Sequence, residues 1–216
     1  MKKFELLQTE RLILRRPTIQ DAKAIFSSHP TPTPTPTSQK DNVTQSKLLF
    51  PPPNSIQDTL NFIESSNEQW EDKMGYIFIL CSKVDGGRVI GGVGLSLKGL
   101  DIDNENEESK SKLLPAGVAR VGYYITKEQS HKGYTTEAVK KMIEFAGEIG
   151  VTKLVAKVKP GNLASIRVLE KCGFQEDAMA SELLVLPNLG TEKPMLVGFG
   201  RSLSLSNPPP TLTWED

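Results

Sequence analysis

Apolar positions along the chain fall into short runs with two periods, and these separate strands from helices. Arg11–Arg16, RLILRR, alternates as a strand and stops at Pro17. Thr18 and Asp21 make a polar first turn ahead of Ile25 and Phe26, which predicts a short helix through Phe26. Ile56, Leu60, Ile63 and Trp70 recur at near-helical spacing over Ser55–Lys73, with Ser55 and Asp58 as a capping-box-like start. YIFILCS and RVIGGVGLSL follow as two apolar strands joined by VDGG, whose Asp-Gly pair signals a hairpin turn.

The second half alternates strand and helix. Val118–Ile125, VARVGYYI, reads as a strand, and Thr135–Ile149 places Ala138, Met142, Phe145 and Ile149 on one helical face. Lys153–Val158, KLVAKV, is a short strand closed by Pro160-Gly161. Asn162–Lys171 reads as a helix that Gly173 ends with a left-handed cap. Two further strands are expected around Met179–Leu186 and Lys193–Leu205. The order predicts an α+β domain of sandwich-like build, a mixed sheet with helices on both faces.

Three segments break the pattern. The Pro/Thr-rich stretch 27–53 contains TPTPTPT and PPP, which favour extended, solvated backbone. The acidic stretch DIDNENEESKSK marks a solvated loop over 98–117, and residues 207–216 form a Pro-rich tail. A single domain over residues 1–206 is the expected organisation.

Charge narrows the classes of function. Lysines and arginines number 26 against 26 acidic residues, so the basic excess usual in nucleic-acid binders is missing and no nucleic-acid partner is expected. No stretch reaches the ~18 consecutive apolar residues of a membrane span, and the N-terminus lacks the apolar run of a signal peptide. Cys81 and Cys172 lack metal-ligand spacing and imply no disulfide framework. A cytoplasmic protein is expected, with a nuclear location left open. Neither a metal site nor an oligomeric state can be read.

The segment EQSHKGYTTEA lies between strand VGYYI and the long helix. A helix start offers unpaired N–H groups and partial positive charge, which suit a phosphate. Gly133 allows close backbone approach, Lys132 adds charge, and Thr135 and Thr136 offer hydroxyls. The same residues also fit an ordinary capped turn. No complete nucleotide-binding fingerprint is present.

GYYITKEQSHKGYTTEAVKKMIEFA followed by LVAKVKPGNLASIRVLEKCGF resembles the GNAT superfamily of N-acetyltransferases, with a closer likeness to its ribosomal-protein N-terminal (RimJ/RimL-type) branch. TERLILRRPTIQDA and GGRVIGGVGL are similar to that family's opening strand and helix and its second hairpin. The resemblance implies a mostly antiparallel sheet with a splay between the fourth and fifth strands, and acetyl-CoA as co-substrate. It implies an enzyme that moves an acetyl group to a primary amine of unknown identity, on a protein, a peptide or a small molecule. An acyl-CoA-binding module with little or no catalysis is the alternative.

By that resemblance the pantetheine arm enters the splay and pairs with backbone groups of Tyr124 and Ile125. One of their N–H groups polarises the thioester. The pyrophosphate lies over His131, Lys132, Gly133, Tyr134, Thr135 and Thr136. Asn162 bonds the arm and Ser165 lies near the sulfur; their spacing places both on one helical face, although Asn162 is equally a good helix cap. Departures from the family are Ser130-His131 where Gly usually follows Gln or Arg, Thr135 for a smaller residue, and Leu169 where many members carry a tyrosine acid. Protonation of the leaving thiolate then falls to Ser165, Tyr123 or water.

The central strands carry no acidic residue, leaving Glu128, Glu176, Asp177 and Glu182 as candidate bases, with His131 placed on the phosphate side. An α-amine of pKa ~8 is ~10% neutral at pH 7, a lysine roughly 0.04%, a gap of about 3.3 kcal/mol. The lack of a strong base therefore favours an α-amine or a small amine of low pKa.

Overall fold

Eight strands make one sheet in the order β1-β2-β3-β4-β5-β6-β8-β7. The computed structural model describes residues 4–29, 53–97, 114–158, 161–178, 180 and 197–204. The strands are β1 (Leu6–Gln8), β2 (Leu12–Arg15), β3 (Gly75–Ser82), β4 (Val89–Ser96), β5 (Val118–Ile125), β6 (Lys153–Val158), β7 (Gln175–Glu176) and β8 (Val197–Ser202). All neighbours are antiparallel except β5 and β6, which run parallel across a helical crossover. β1 and β7 were not read from the sequence, and β1 shifts the expected fourth and fifth strands to β5 and β6. Of the two late strands expected, the second is β8 and most of the first lies outside the described residues.

Among the described residues four helices cover the sheet: α1 (Ala22–Ser28), α2 (Ile56–Glu71), α3 (Tyr134–Glu148) and α4 (Leu163–Lys171). Alternation along the strands divides the core. Leu12, Leu14, Phe78, Leu80, Val93 and Leu154 face Ala138, Met142, Phe145 and Leu169 of α3 and α4. On the opposite face Ile79 and Cys81 pack on Ala22, Ile25 and Ile63 of α1 and α2. No helix among the described residues is long and apolar enough to cross a membrane.

The caps hold as the sequence implies, with small shifts. Asp21 accepts from the Thr18 N–H and hydroxyl, both at 2.8 Å, and a 3-10 turn over Ile19–Asp21 precedes α1. Ser55 accepts from the Asp58 N–H at the start of α2. α1 continues through Ser28, so the first two residues of the expected insertion belong to the helix. Likewise Leu114 is buried and the Gly117 carbonyl accepts from Thr152 and Lys153, which places these residues in the body and not in the acidic loop.

Candidate active site

β5 and β6 pair only over Val118–Arg120 against Lys153–Val155. Beyond Arg120 they part, because β5 stays with β4 through Ile125 and β6 stays with β8 through Val158. The inner edges, residues 121–125 and 156–158, therefore face a gap. The Thr126 N–H donates to the Ile90 carbonyl of β4, and the Tyr124 carbonyl points at Gly91 of the same strand. Backbone polar groups alternate between the two edges of a strand. Those of Tyr123 and Ile125 consequently face the gap. The expectation for Tyr124 differs here: its backbone belongs to the β4 ladder.

The gap opens into a cleft of about 570 Å³. Tyr123, Tyr124, Ile125, His131, Gly133, Thr135, Thr136, Asn162 and Ser165 line it, so nine of the expected site residues meet at one place. Two do not. Tyr134 buries its ring in the core beneath Arg11, whose guanidinium carbon lies 4.5 Å from the ring centre. Lys132 turns its ammonium to Gln129, donating at 2.9 Å. Neither lines the cleft, although their chain neighbours His131, Gly133 and Thr135 do.

The loop before α3 is shaped by two left-handed residues, His131 (φ 62) and Gly133 (φ 83). Gly133 adopts that region freely, whereas a histidine there carries strain of about 1 kcal/mol. The Glu137 N–H returns to the Gly133 carbonyl, so the N–H groups of Tyr134, Thr135 and Thr136 precede the first intrahelical bond. These donors at the cleft floor can hold an anion. Ser130 is committed elsewhere: its hydroxyl donates to the Thr126 carbonyl at 3.2 Å.

At the other end, α4 begins beside the gap. Asn162 caps it, its side-chain oxygen accepting from the Ser165 N–H at 3.1 Å, which leaves the side-chain amide nitrogen as its second polar group. The Tyr123 hydroxyl donates to the Ser165 carbonyl at 3.1 Å and ties β5 to α4. Burial pushes the Tyr123 phenol above its usual pKa, so it is a poor proton donor. Leu169, at the position where the family often has a tyrosine, is fully buried in the core.

Several residues at the site escaped the sequence reading. Glu137 of α3 accepts from the Thr9 hydroxyl at 2.5 Å, the Arg11 N–H at 2.9 Å and the Arg11 guanidinium at 2.7 Å. Burial raises the pKa of this carboxyl, but the bonds from Thr9 and Arg11 outweigh it and the net shift is downward. Arg11 also donates to the Lys132 carbonyl at 3.0 Å, bracing the loop. In the sequence these residues stand in two separate polar stretches, TER and TEA, with no spacing to join them.

Arg167 and Lys171, one turn apart on α4, add positive charge to the cleft wall. On the far face of β5, Tyr124 stacks on His29 with ring centres 4.1 Å apart, and its hydroxyl lies 3.1 Å from that of Ser28. Burial raises the Tyr124 pKa to about 12 and lowers that of His29. His29 Nδ1 bonds the Ile25 carbonyl at 2.9 Å, which places the proton on Nδ1; Nε2 is buried with no partner among the described residues.

None of the described residues lining the cleft is acidic. Asp177 is held by Lys153 at 2.6 Å and by the Ala180 N–H, Glu128 and Glu176 are exposed outside the cleft, and Glu182 lies outside the described residues. Among the described residues no group of three His, Cys, Asp or Glu could hold a metal ion.

A sequence-family model described as an acetyltransferase (GNAT) domain matches residues 11–175. The chain is 28% identical over 178 residues to the uncharacterized N-acetyltransferase p20 of Bacillus licheniformis, covering 82% of this chain and 85% of that protein. Among solved structures it superimposes on RimL, a ribosomal L7/L12 α-N-protein acetyltransferase bound to coenzyme A, with TM-score 0.66, 14% identity and coverage of 93% and 99%. It also matches the microcin C7 self-immunity acetyltransferase MccE bound to acetyl-CoA and AMP, with TM-score 0.62, 20% identity and coverage of 90% and 94%. With the family model spanning most of its length, an open splay at β5 and β6 and a loop-to-helix cradle beside it, the chain belongs to the GNAT acetyltransferase family, enzymes that move an acetyl group from acetyl-CoA to an amine.

Proposed function

We propose that this chain acetylates a primary amine by direct attack on acetyl-CoA bound between β5 and β6, in the manner of the ribosomal-protein N-terminal acetyltransferase branch. The single observation that carries the reading is the continuity of the cleft, from the open strand edge at Tyr123 and Ile125 to the helix start at Gly133–Thr136. An extended pantetheine arm adds to the free edge of β5 as a further strand would. Its pyrophosphate lies on the N–H groups opening α3.

In the transfer, the neutral amine nitrogen attacks the thioester carbon and the carbonyl oxygen becomes an oxyanion. A backbone N–H of Tyr123 or Ile125 facing the gap stabilises that charge. The C–S bond breaks, the amide remains, and the thiolate leaves toward the Ser165 hydroxyl. Tyr123 acts here by fixing α4 against β5. The ammonium proton passes to solvent, because the described lining offers no carboxylate. That lining favours an α-amine, for which deprotonation is about 3.3 kcal/mol easier than for lysine.

Free-thiol release from acetyl-CoA with N-terminal peptides, lysine peptides and polyamines tests the reading. Turnover with α-amine peptides ahead of lysine peptides is expected. Donor binding without release by any amine supports the alternative, a binding module without catalysis.

A further inference from the structure

A second groove, about 350 Å³, lies on the outer side of the phosphate loop and shares Gly133, Thr136 and Lys171 with the main cleft. Lys140 of α3 and Lys171 of α4 stand on its two walls. Both ammonium groups are exposed, and neither forms an ion pair among the described residues. Lys141, the next residue on α3, is by contrast paired with Glu144 at 2.8 Å. Two carboxylates border the groove. Glu137 is engaged by Arg11 at 2.6 Å and by Thr9, which leaves Glu10 to face the lysines. With Arg11, the three cations outnumber the two anions, and Arg167 on the adjoining cleft wall adds a further positive charge.

Two lysines that form no ion pair among the described residues, in a groove where positive charge exceeds negative, present a site for a dianion. Resting on the acyl-CoA reading above, the position of this site has a chemical meaning. A donor whose pyrophosphate sits at the start of α3 carries one more charged group beyond it, the phosphate monoester on its ribose. We infer that Lys140 and Lys171 hold that 3′-phosphate, and that they make the protein discriminate acetyl-CoA from acetyl-dephospho-CoA. Lysines act here as point charges and not as a bidentate fork, so the preference is electrostatic and fades as salt rises.

The test is calorimetric titration of acetyl-CoA and acetyl-dephospho-CoA into the wild-type protein and into Lys140→Glu, Lys171→Glu and the double variant at low salt. The expected result is about tenfold or greater preference for acetyl-CoA in the wild type, falling to near unity in the double variant. Lys141→Glu serves as a control and keeps the preference. Equal binding of both donors by the wild type overturns the inference while leaving the acyl-CoA reading standing, as does a preference that survives in the double variant. Binding of neither donor overturns both.

Discussion

The carboxylate of Glu137, in the first turn of α3, is bonded by the main chain and side chain of Arg11, at the entry to β2. Together with the Arg11 bond to Lys132, this fixes the phosphate loop against the far end of the sheet. Removing the carboxylate leaves a half-buried guanidinium and two further donors without their acceptor. Glu137→Ala is expected to cost about 1–3 kcal/mol of stability and to weaken donor binding more than it slows turnover at saturation. Urea midpoints and acetyl-CoA titration check both effects.

His131 holds a left-handed backbone that glycine adopts without strain. His131→Gly is expected to leave donor affinity intact and to change stability by no more than about 1 kcal/mol, the relieved strain being offset by glycine's greater freedom in the unfolded chain. A loss of donor affinity beyond tenfold (about 1.4 kcal/mol) would mean that the imidazole itself contacts a phosphate.

His29 gives the protein a defined pH response. Burial lowers its pKa below the usual ~6.5, with the bond to the Ile25 carbonyl opposing. The folded state therefore binds fewer protons than the unfolded state as pH falls through this range. Stability is fully present above about pH 6.5 and declines toward the lower folded pKa, by at most about 1.4 kcal/mol per pH unit. Tyr124, stacked on the ring, stays protonated throughout that window. His29→Gln should show a smaller difference in urea midpoint between pH 7.5 and 5.5. Equal differences in the two proteins would contradict a buried neutral histidine.

Ser165 contributes its hydroxyl to the cleft while its main chain serves Asn162 and Tyr123. Ser165→Ala keeps those backbone bonds, so donor affinity is expected to hold and turnover to fall by about tenfold (about 1.4 kcal/mol). Unchanged turnover in the thiol-release assay removes Ser165 from the reaction.

Much of this architecture was legible in the chain. VARVGYYI and KLVAKV are β-branched or apolar runs bounded by glycine or proline, and both strands have the bounds read from the sequence. β1 and β7 were not, since three and two residues carry too little pattern and exist through their partners. The loop's place between β5 and α3 was readable, because helix periodicity begins just after Gly133. Backbone direction was not: deciding between Tyr123 and Tyr124 needs the register with β4. Nor was the Thr9–Arg11–Glu137 clamp, in which Glu137 stands 128 and 126 positions from its two partners.

Gly133 offers the most direct test of the central claim, that an acyl-CoA donor lies across the start of α3. Any side chain there adopts φ 83 with strain, and glutamate adds a negative charge where the pyrophosphate would sit. Titration of acetyl-CoA into wild type and Gly133→Glu, each checked for cooperative unfolding, should give saturable binding in the first and none in the second. Equal affinity in two folded proteins, or no binding to the wild type at millimolar donor, would contradict the account.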